Sequence, residues 1–428
     1  MAVQKAMAMP DELLVLLYSE VVGVLRRDRA DRDPSFTYLP EYVRDGSVAL
    51  SARLPIAETP YQPERVAPFL AGLLPENRDT REQWARRLGT VEDDVFAMLS
   101  LMGWDCPGAV QFCLPDDLEK LSDRQSSYEP VDEAGIAQRL RNLVADPASW
   151  TMPNEHWSLG GQQEKFALAS LAGGWHEARG GAATTHIIKP GIKALHHQAL
   201  VEHVTMAAAT TLGVDIAANQ MMRFEDQWAI VVDRFDRFYG DDGAVLRLHQ
   251  EDFCQALGRL PDRKYESRGG PTLADMVRTV SQQSSNRGDD LLALADFLII
   301  NVIAGAPDGH SKNISMLRTP GLNWIAPLYD LATGLAYDTD HVERSVAVSV
   351  GGERRLSRIY AKQWNKAAKV LGLPEEAVRA RVAQLATGFA DAFQSALTDL
   401  RDAPGADEVA ERSLPVLKTH CDQVLGRL

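Results

Sequence analysis

The chain has 428 residues, of which 45% are hydrophobic and 24% charged, and its net charge is −14. A chain of this length exceeds one ordinary compact core, and its composition argues against widespread disorder, so we expect two or three packed lobes. The negative charge argues against a protein that binds nucleic acid by its own surface, and it fits basic protein partners.

Neither the cysteines nor the apolar segments indicate a secreted, zinc-binding or membrane protein. The cysteines form no C-x-x-C pair and lack the spacing of a disulfide framework, so we interpret them as inert thiols in a reducing cytoplasm. They are Cys106, Cys113, Cys254 and Cys421. Residues 1–10 lack the apolar region of a secretory signal, and the longest apolar stretch, residues 291–306, is interrupted by Asp296 and Asn301 and too short to span a bilayer. We therefore expect a soluble, cytoplasmic protein.

The first part of the chain, residues 1–115, is predicted to be a small α+β subdomain. Strand patterns at residues 21–25 and 47–50 precede helical patterns at residues 66–74 and 80–88. The boundary is placed in a proline-containing stretch that closes this subdomain.

The middle part, residues 116–245, is predicted to be a strand-rich lobe, and the last part, residues 246–428, a helical lobe. The middle lobe has strand patterns at residues 166–169, 185–189 and 228–232 and one helix pattern at residues 200–212. The last lobe has helix patterns at residues 252–257, 273–284, 290–304, 361–371 and 374–400. Such an arrangement can hold a ligand in the cleft between the lobes.

The segment of residues 308–313, DGHSKN, follows an apolar helix that Pro307 prevents from continuing. Asp308 and Asn313 lie five positions apart. In the catalytic loop of protein kinases this offset separates the carboxylate that accepts the substrate hydroxyl proton from the amide that holds magnesium. The alternative is a helix-terminating turn in which Asp and Asn cap nearby amides.

Asp330 follows the strand pattern of residues 324–326 and lies seventeen positions after Asn313. Kinases place a magnesium-binding aspartate at such a strand end. One carboxylate and one amide suffice, because magnesium keeps several waters and binds phosphate oxygens. The alternative is a helix N-cap.

Lys189 ends the strand pattern of residues 185–189, on the face it shares with Thr185 and Ile187. A lysine that points inward is unfavourable unless it meets an anion, such as a phosphate or the carboxylate of Glu202 on the next helix. The alternative is a strand-end lysine that reaches solvent.

Two further segments complete the candidate site. Residues 158–165, SLGGQQEK, contain two glycines that can expose N–H groups to a polyphosphate, but the segment matches neither the Walker pattern nor the kinase glycine-rich pattern. Residues 233–237, DRFDR, stand where a kinase hinge presents backbone groups and a ring to adenine. The alternatives are a plain turn for the first segment and a charged turn with one buried Phe for the second.

Taken together and in order, these segments resemble the HipA family of bacterial toxin kinases. The resemblance extends over residues 15–400 and is weakest in the first hundred residues. The matched segments are residues 158–165 as the phosphate loop, 185–189 as the ATP-lysine strand, 233–237 as the hinge, 248–258 as a signature that opens the helical lobe, and 308–313 and 329–330 as the catalytic and metal-binding segments. The chain departs from the family at Gly160 and Gln162, where small residues such as Ala are expected, and at Asp233, where Glu is frequent.

The resemblance implies an α+β fold with two kinase-like lobes and an extra N-terminal subdomain, and it implies ATP and Mg²⁺ as cofactors. Asp308 would be the catalytic base, Asn313 and Asp330 the metal ligands, Glu202 the partner of Lys189, and Ser158 an autophosphorylated serine. The residues expected to bind ATP are Gly160, Gly161, Gln162, Gln163, Glu164, Lys165, Lys189, Asp233, Arg234, Phe235, His310, Ser311, Lys312, Asn313, Tyr329 and Asp330.

The resemblance also implies partners that the sequence itself does not encode. One is a small dimeric helix-turn-helix antitoxin like HipB, through which the protein would contact DNA indirectly. The other is a protein substrate, an aminoacyl-tRNA synthetase and typically the glutamyl enzyme, whose phosphorylation halts translation. Two alternatives remain open, a catalytically silent regulator that binds antitoxin and DNA, and a small-molecule kinase that uses the same residues.

Overall fold

A computed structural model describes residues 11–28, 33–121, 126–146, 148–151, 155–337 and 343–428. The expectation for residues 1–10 concerns a segment outside these ranges. Within them, every helix is too short or too polar to cross a membrane. All four cysteines are buried free thiols, as expected.

The N-terminal subdomain is an antiparallel sheet covered by helices. Its sheet has the strand order β3-β2-β1-β4, and its apolar side chains form one core with those of the helices. The strands are β1 (Glu12–Leu17), β2 (Glu20–Arg26), β3 (Ser35–Tyr38) and β4 (Val110–Cys113), the helices are α1 (Pro40–Asp45), α2 (Pro63–Gly72), α3 (Arg78–Leu88) and α4 (Val95–Met102), and a 3₁₀ helix spans Pro115–Leu121. The predicted strand at residues 21–25 and the two predicted helices are confirmed by β2, α2 and α3.

The predicted strand at residues 47–50 is wrong, because this segment is an irregular loop. Its apolar side chains are buried, which explains the strand-like pattern, but tyrosine hydroxyls take the place of a partner strand. The Tyr42 hydroxyl donates to the Val48 carbonyl (2.7 Å), and the Leu50 N–H donates to the Tyr38 hydroxyl (2.8 Å).

The middle lobe is a six-stranded antiparallel sheet with the order β5-β7-β6-β8-β10-β9, next to the small hairpin β11–β12. The strands are β5 (Ser127–Val131), β6 (Phe166–Leu171), β7 (Gly174–Arg179), β8 (His186–Lys189), β9 (Asn219–Phe224), β10 (Gln227–Asp233), β11 (Arg237–Tyr239) and β12 (Val245–Arg247), and the helices are α5 (Glu133–Ala145) and α6 (Gln198–Thr211). The three strands and the helix predicted here are confirmed by β6, β8, β10 and α6. Gly213 follows α6 with a φ of +78°, a value that favours glycine.

The last lobe is mainly helical but contains more strands than the sequence patterns indicated. Its helices are α7 (Phe253–Ala256), α8 (Leu273–Gln283), α9 (Arg287–Ile303), α10 (Ala361–Leu371), α11 (Glu375–Asp399) and α12 (Ala406–Leu425), and its strands are β13 (His249–Asp252), β14 (Ser315–Thr319), β15 (Leu322–Ile325), β16 (Ser345–Val350) and β17 (Glu353–Arg355). All five predicted helices are confirmed, although α12 was missed. The strands β13, β14 and β15 form an antiparallel sheet beneath the cleft, and β16 and β17 form a hairpin.

The expected α+β class is therefore confirmed, with a sheet-rich part followed by a helical part. Large clusters of buried apolar side chains fill the N-terminal subdomain, the six-stranded sheet and the helical lobe. Helix α6 follows the strand-rich lobe in sequence, yet its buried side chains belong to the core of the helical lobe, where they contact α11. The boundaries near residues 115 and 245 stay a prediction.

A buried charge network joins the N-terminal subdomain to the middle lobe. The Asp105 carboxylate accepts hydrogen bonds from Arg234 (3.2 Å), Arg237 (2.8 Å) and Arg247 (2.9 Å). Asp236 accepts further bonds from Arg234. Although burial raises the pKa of Asp105, the three guanidinium charges lower it by more, so this carboxylate stays ionised.

Candidate active site

A cleft of about 630 Å³ lies where the three parts of the chain meet. Most of the residues predicted to form the site contribute to its walls. Those that line it are Gly160, Gly161, Gln162, Gln163, Lys165, Lys189, Glu202, Asp233, Arg234, Phe235, Asp308, His310, Lys312, Asn313, Tyr329 and Asp330. Ser158, Glu164 and Ser311 do not line the cleft.

Lys189 lines the cleft and lies between two carboxylates. Its Nζ atom is 2.9 Å from Glu202 Oε1 and also donates to Asp330. Burial lowers the pKa of Lys189, but the charges of Asp330 and Glu202 raise it by more, so the amine stays protonated. The inward lysine and its contact with Glu202, both expected from the strand and the following helix, are present.

Two glutamines connect this ion pair to the phosphate loop. Gln198 Nε2 donates to Glu202 Oε2, and Gln163 Nε2 donates to Gln198 Oε1, each over 2.9 Å. Gln198 is the first residue of α6, so the helix start fixes the loop and the glutamate together. The sequence reasoning missed Gln198.

Lys165 folds back over the phosphate loop that it follows. Its Nζ atom donates to the Gly160 carbonyl (2.7 Å) and lies 4.6 Å from the centre of the Trp150 ring. Burial and the neighbouring charge of Lys189 lower the pKa of Lys165 to about 8. A second cation is therefore held beside the loop, and its charge depends on pH near neutrality.

Ser158 is fully buried where the phosphate loop meets the N-terminal subdomain. Its hydroxyl donates to the Leu73 carbonyl (2.7 Å), and its N–H donates to the Asp105 carbonyl (3.0 Å). The sequence placed this hydroxyl at the edge of the phosphate loop, whereas the structure turns it away from the cleft. Modification of Ser158 therefore requires the loop to leave this position.

The segment of residues 308–313 is a loop after α9, as expected, and it presents Asp308 to the cleft. The Asp308 side chain is 60% exposed and accepts a hydrogen bond from the Tyr265 hydroxyl. The protein atoms that surround this carboxyl in the cleft remove part of its hydration and raise the pKa of Asp308, and the Tyr265 bond and the charge of Lys264 offset part of this rise. A carboxylate with this exposure and a raised pKa can accept a proton from a substrate hydroxyl.

His310 and Lys312 differ in charge. Burial and the charges of Lys264 and Lys312 lower the pKa of His310 to about 3, so its ring is neutral, and it lies edge-on to Tyr265 with 5.0 Å between ring centres. Lys312 Nζ lies 2.9 Å from Asp252 Oδ2. Burial lowers the pKa of Lys312, but the charge of Asp252 raises it by more, so Lys312 is the cation of this loop.

Asn313 and Asp330 supply the oxygen donors that magnesium prefers. The Asn313 amide is fixed by a bond from Nδ2 to the Asp308 carbonyl (2.9 Å), and no described residue donates to its Oδ1. Asp330 has a φ of +52°, a strained value that an aspartate tolerates at functional positions. Nowhere in the described ranges do three or more His, Cys, Asp or Glu side chains form a metal site of their own. A site with one carboxylate and one amide suits Mg²⁺ bound together with phosphate oxygens and water.

The hinge segment of residues 233–237 lies at the cleft as predicted, but most of its groups are already bonded. The N–H groups of Asp233 and Arg234 donate to carbonyl oxygens of neighbouring segments over 2.8 and 2.9 Å, and the Arg234 guanidinium belongs to the Asp105 network. The Phe235 ring lies 5.2 Å from that of Tyr329. These bonds leave the Phe235 ring and the remaining groups of the segment available to a ligand in the cleft.

The sequence reasoning also missed Glu76, Lys264 and Tyr265, which all line the cleft. Lys264 Nζ donates to Glu76 Oε2 over 2.8 Å, between residues that are 188 positions apart. Lys264 and Tyr265 are neighbours in a loop of the helical lobe, and their polar side chains gave only a weak indication of a functional site. Glu76 carried none, since it lies in a subdomain that the sequence reasoning did not connect with the cleft.

Family models match both ends of this architecture. A model described as "HipA-like C-terminal domain" matches residues 157–393, and one described as "HipA N-terminal domain" matches residues 13–113. The first match alone covers more than half of the chain.

Two relatives and one solved structure are similar over nearly the whole chain. The Sinorhizobium fredii protein Y4mE is 36% identical over 388 residues, which are 89% of this chain and 91% of that protein. The serine/threonine-protein kinase toxin HipA of Shewanella oneidensis is 28% identical over 413 residues, 91% of each chain. The crystal structure of a Shewanella oneidensis complex of HipA, HipB and operator DNA contains a chain that superposes with a TM-score of 0.82 at 25% identity, over 97% of both chains.

Proposed function

Because the chain belongs to the HipA family of kinases, we propose that it transfers the γ-phosphoryl group of ATP to a serine or threonine hydroxyl of a protein. The observation that carries the proposal is the convergence of Lys189, Asp308, Asn313 and Asp330 in one cleft. These residue types perform phosphate binding, proton acceptance and metal binding in protein kinases.

The surroundings of each cleft residue indicate its role in the proposed reaction. Lys189, kept charged by Asp330 and Glu202, binds phosphate oxygens, while Lys165 and Lys312 add positive charge at the phosphate loop and the catalytic loop. Asp308 orients the substrate hydroxyl and accepts its proton. Asn313 and Asp330 would hold Mg²⁺, which supplies charge neutralisation between the phosphates when bound.

The protein is proposed to act as the toxin of a toxin–antitoxin pair. The similar chain from Shewanella oneidensis is bound to HipB and operator DNA. A helix-turn-helix antitoxin of that type would restrain this kinase and provide its only link to DNA, which agrees with a net charge of −14. An aminoacyl-tRNA synthetase is the proposed protein substrate.

Autophosphorylation of Ser158 is a further part of the proposal. A phosphate would add about −1.5 to −2 charges where the hydroxyl now donates to a carbonyl. The phosphate loop would leave its docked position, and ATP binding would be lost.

The proposal is tested by incubating the full chain with γ-labelled ATP, Mg²⁺ and a bacterial lysate, with purified aminoacyl-tRNA synthetases in parallel. A labelled protein band that the Asp308→Asn variant fails to produce supports a protein kinase. A labelled metabolite without a labelled protein would indicate a small-molecule kinase. A complete lack of label, with antitoxin binding intact, would indicate a silent regulator.

A further inference from the structure

The turn of residues 72–76, which begins at the last residue of α2, brings the N-terminal subdomain into the cleft. The Gly72 carbonyl at the end of α2 accepts a hydrogen bond from Lys312 Nζ (3.3 Å), and the Glu76 N–H donates to the Gly161 carbonyl (2.8 Å). The last carbonyls of a helix lack partners within the helix and carry partial negative charge, so a lysine is a favourable partner. This turn, here called the α2 turn, therefore contacts both the phosphate loop and the catalytic loop.

The Glu76 carboxylate is the charged group of the α2 turn. Its Oε2 atom is 2.8 Å from Lys264 Nζ, and its Oε1 atom is 3.9 Å from Lys312 Nζ. The Glu76 and Lys264 side chains are only 10% exposed. Within the described residues Oε1 is a buried oxygen without a hydrogen bond. A buried carboxylate is unfavourable unless it is paired, so Lys264 is the partner that keeps it in place.

Lys264 is in direct contact with the catalytic loop. Its carbonyl accepts a hydrogen bond from the Ser311 hydroxyl (2.8 Å). The next residue, Tyr265, donates to the Asp308 carboxylate, and its ring packs against His310. In this series of contacts, only Lys264 and Tyr265 lie between Glu76 and Asp308.

We propose that Glu76 is a positioning residue for phosphoryl transfer. Through its ion pair with Lys264 it holds Tyr265 against Asp308 and so keeps the catalytic carboxylate in place. This inference rests on the proposed function, and it makes the N-terminal subdomain a part of the active site.

A different role for Glu76, as an anion that ATP displaces from the lysines, is less consistent with the distances. Lys312 Nζ is 2.9 Å from Asp252 Oδ2 but 3.9 Å from Glu76 Oε1. Glu76 is closer to Lys264, at 2.8 Å. A displaced anion would affect nucleotide affinity, whereas a positioning residue affects the rate of transfer.

The test compares full-length Glu76→Gln and Glu76→Asp with the control Glu64→Gln, which removes an exposed carboxylate on α2. For Glu76→Gln we expect kcat to fall ~10- to 100-fold, the size of effect that misplacement of a catalytic group has. The KM for ATP should change by no more than about twofold, because the residues that bind ATP equally well in the ground state and the transition state are unchanged. Glu76→Asp, which keeps the charge, should recover part of the rate, and Glu64→Gln should match the wild type. A raised or lowered KM at unchanged kcat, or no change in either, would overturn the proposal.

Hydrogen exchange provides a second measurement that does not depend on activity. In Glu76→Gln the amides of residues 261–268 and 308–313 should exchange faster than in Glu64→Gln, because the link to Lys264 is lost. Equal exchange in the two variants would overturn the positioning role. If the wild type transferred no phosphate at all, the proposed function would fail, while the exchange comparison would still decide whether Glu76 holds this loop.

Discussion

The hydroxyl of Ser158 donates a hydrogen bond to the carbonyl oxygen of Leu73 over 2.7 Å, although 85 positions separate the two residues. Leu73 follows α2, so this bond ties the phosphate loop to the N-terminal subdomain. A phosphoserine near neutral pH is largely doubly ionised and has no proton for this carbonyl. The docked loop and the phosphorylated loop therefore exclude each other.

Ser158→Asp should consequently weaken ATP binding at least ~10-fold, the equivalent of about 1.4 kcal/mol of repulsion and lost docking. Ser158→Ala loses the hydrogen bond without adding charge and should retain most of the affinity. Calorimetry on both variants checks this. Mass spectrometry of ATP-treated protein should find the phosphate on Ser158 in the wild type and not in Asp308→Asn. If Ser158 stays unmodified after catalytically active protein has been incubated with Mg²⁺ and ATP, autoregulation through this serine is contradicted.

Asp308→Asn should reduce the rate of transfer by at least ~10²-fold, because general-base catalysis contributes an effect of that size. ATP affinity should stay near the wild-type value, since the asparagine keeps the shape of the side chain and Lys189 is untouched. Single-turnover transfer and calorimetry measure the two quantities. Asp399→Asn, an exposed substitution on α11, serves as the matched control. Transfer at the wild-type rate in Asp308→Asn would show that the base was wrongly assigned.

Asp330→Ala should remove the magnesium-dependent part of ATP binding. The carboxylate is one of two predicted protein ligands of the metal, and Mg²⁺ binds poorly to a single amide oxygen. Lys189 keeps Glu202 at 2.9 Å as its counter-ion, so the fold of the cleft should persist. ATP affinity measured with Mg²⁺ and with a chelator should become equal in the variant. A persistent difference would exclude Asp330 from the metal site.

Lys165 gives ATP binding a dependence on pH. Because its pKa is lowered to about 8, the amine is charged below that pH and neutral above it. The association constant for ATP should therefore fall as pH rises through about 8, when the phosphate loop loses a cation. In Lys165→Arg the guanidinium stays charged, so this decrease should disappear. Calorimetry on both sides of pH 8 measures it, and a wild-type affinity that is constant there would refute the assignment.

Asp105→Asn should lower the free energy of unfolding by about 3–5 kcal/mol, the range observed when one partner of a buried ion pair is removed. Arg234, Arg237 and Arg247 would lose their shared carboxylate. The control Asp45→Asn removes an exposed carboxylate at the end of α1. Chemical denaturation of both variants gives the comparison. Equal stability would show that the network is replaceable.

The elements that the sequence predicted well have strong local patterns. Helices such as α9 and α11 and strands such as β10 follow from periodicity, and the cleft residues Asp308 and Asn313 follow from a fixed offset that kinase chemistry requires. The segment at residues 47–50 shows the limit of such reasoning. Apolar residues there are buried as in a strand, but their backbone bonds go to tyrosine side chains that no local pattern identifies.

The parts of the site that were missed depend on docking between distant segments. Glu76 and Lys264 contact each other only because the N-terminal subdomain packs on the helical lobe. Likewise, the sequence placed Arg234 at the hinge, but it could not show that Asp105 would bind its guanidinium. Contacts of this kind follow from how surfaces fit together, and a single sequence carries no periodic signal for them.

The packing of α6 limits how this enzyme can be switched. In protein kinases the helix that carries the partner of the ATP lysine moves to change the population of active molecules. Here Leu200 and Val204 of α6 share a core with Leu385 and Phe389 of α11. Moving α6 outward would expose side chains whose burial contributes about 1.5–3 kcal/mol each, so the outward state would be scarcely populated. We therefore expect the pair of Lys189 and Glu202 to stay assembled, and inhibition to act by releasing the phosphate loop or by blocking access to the cleft.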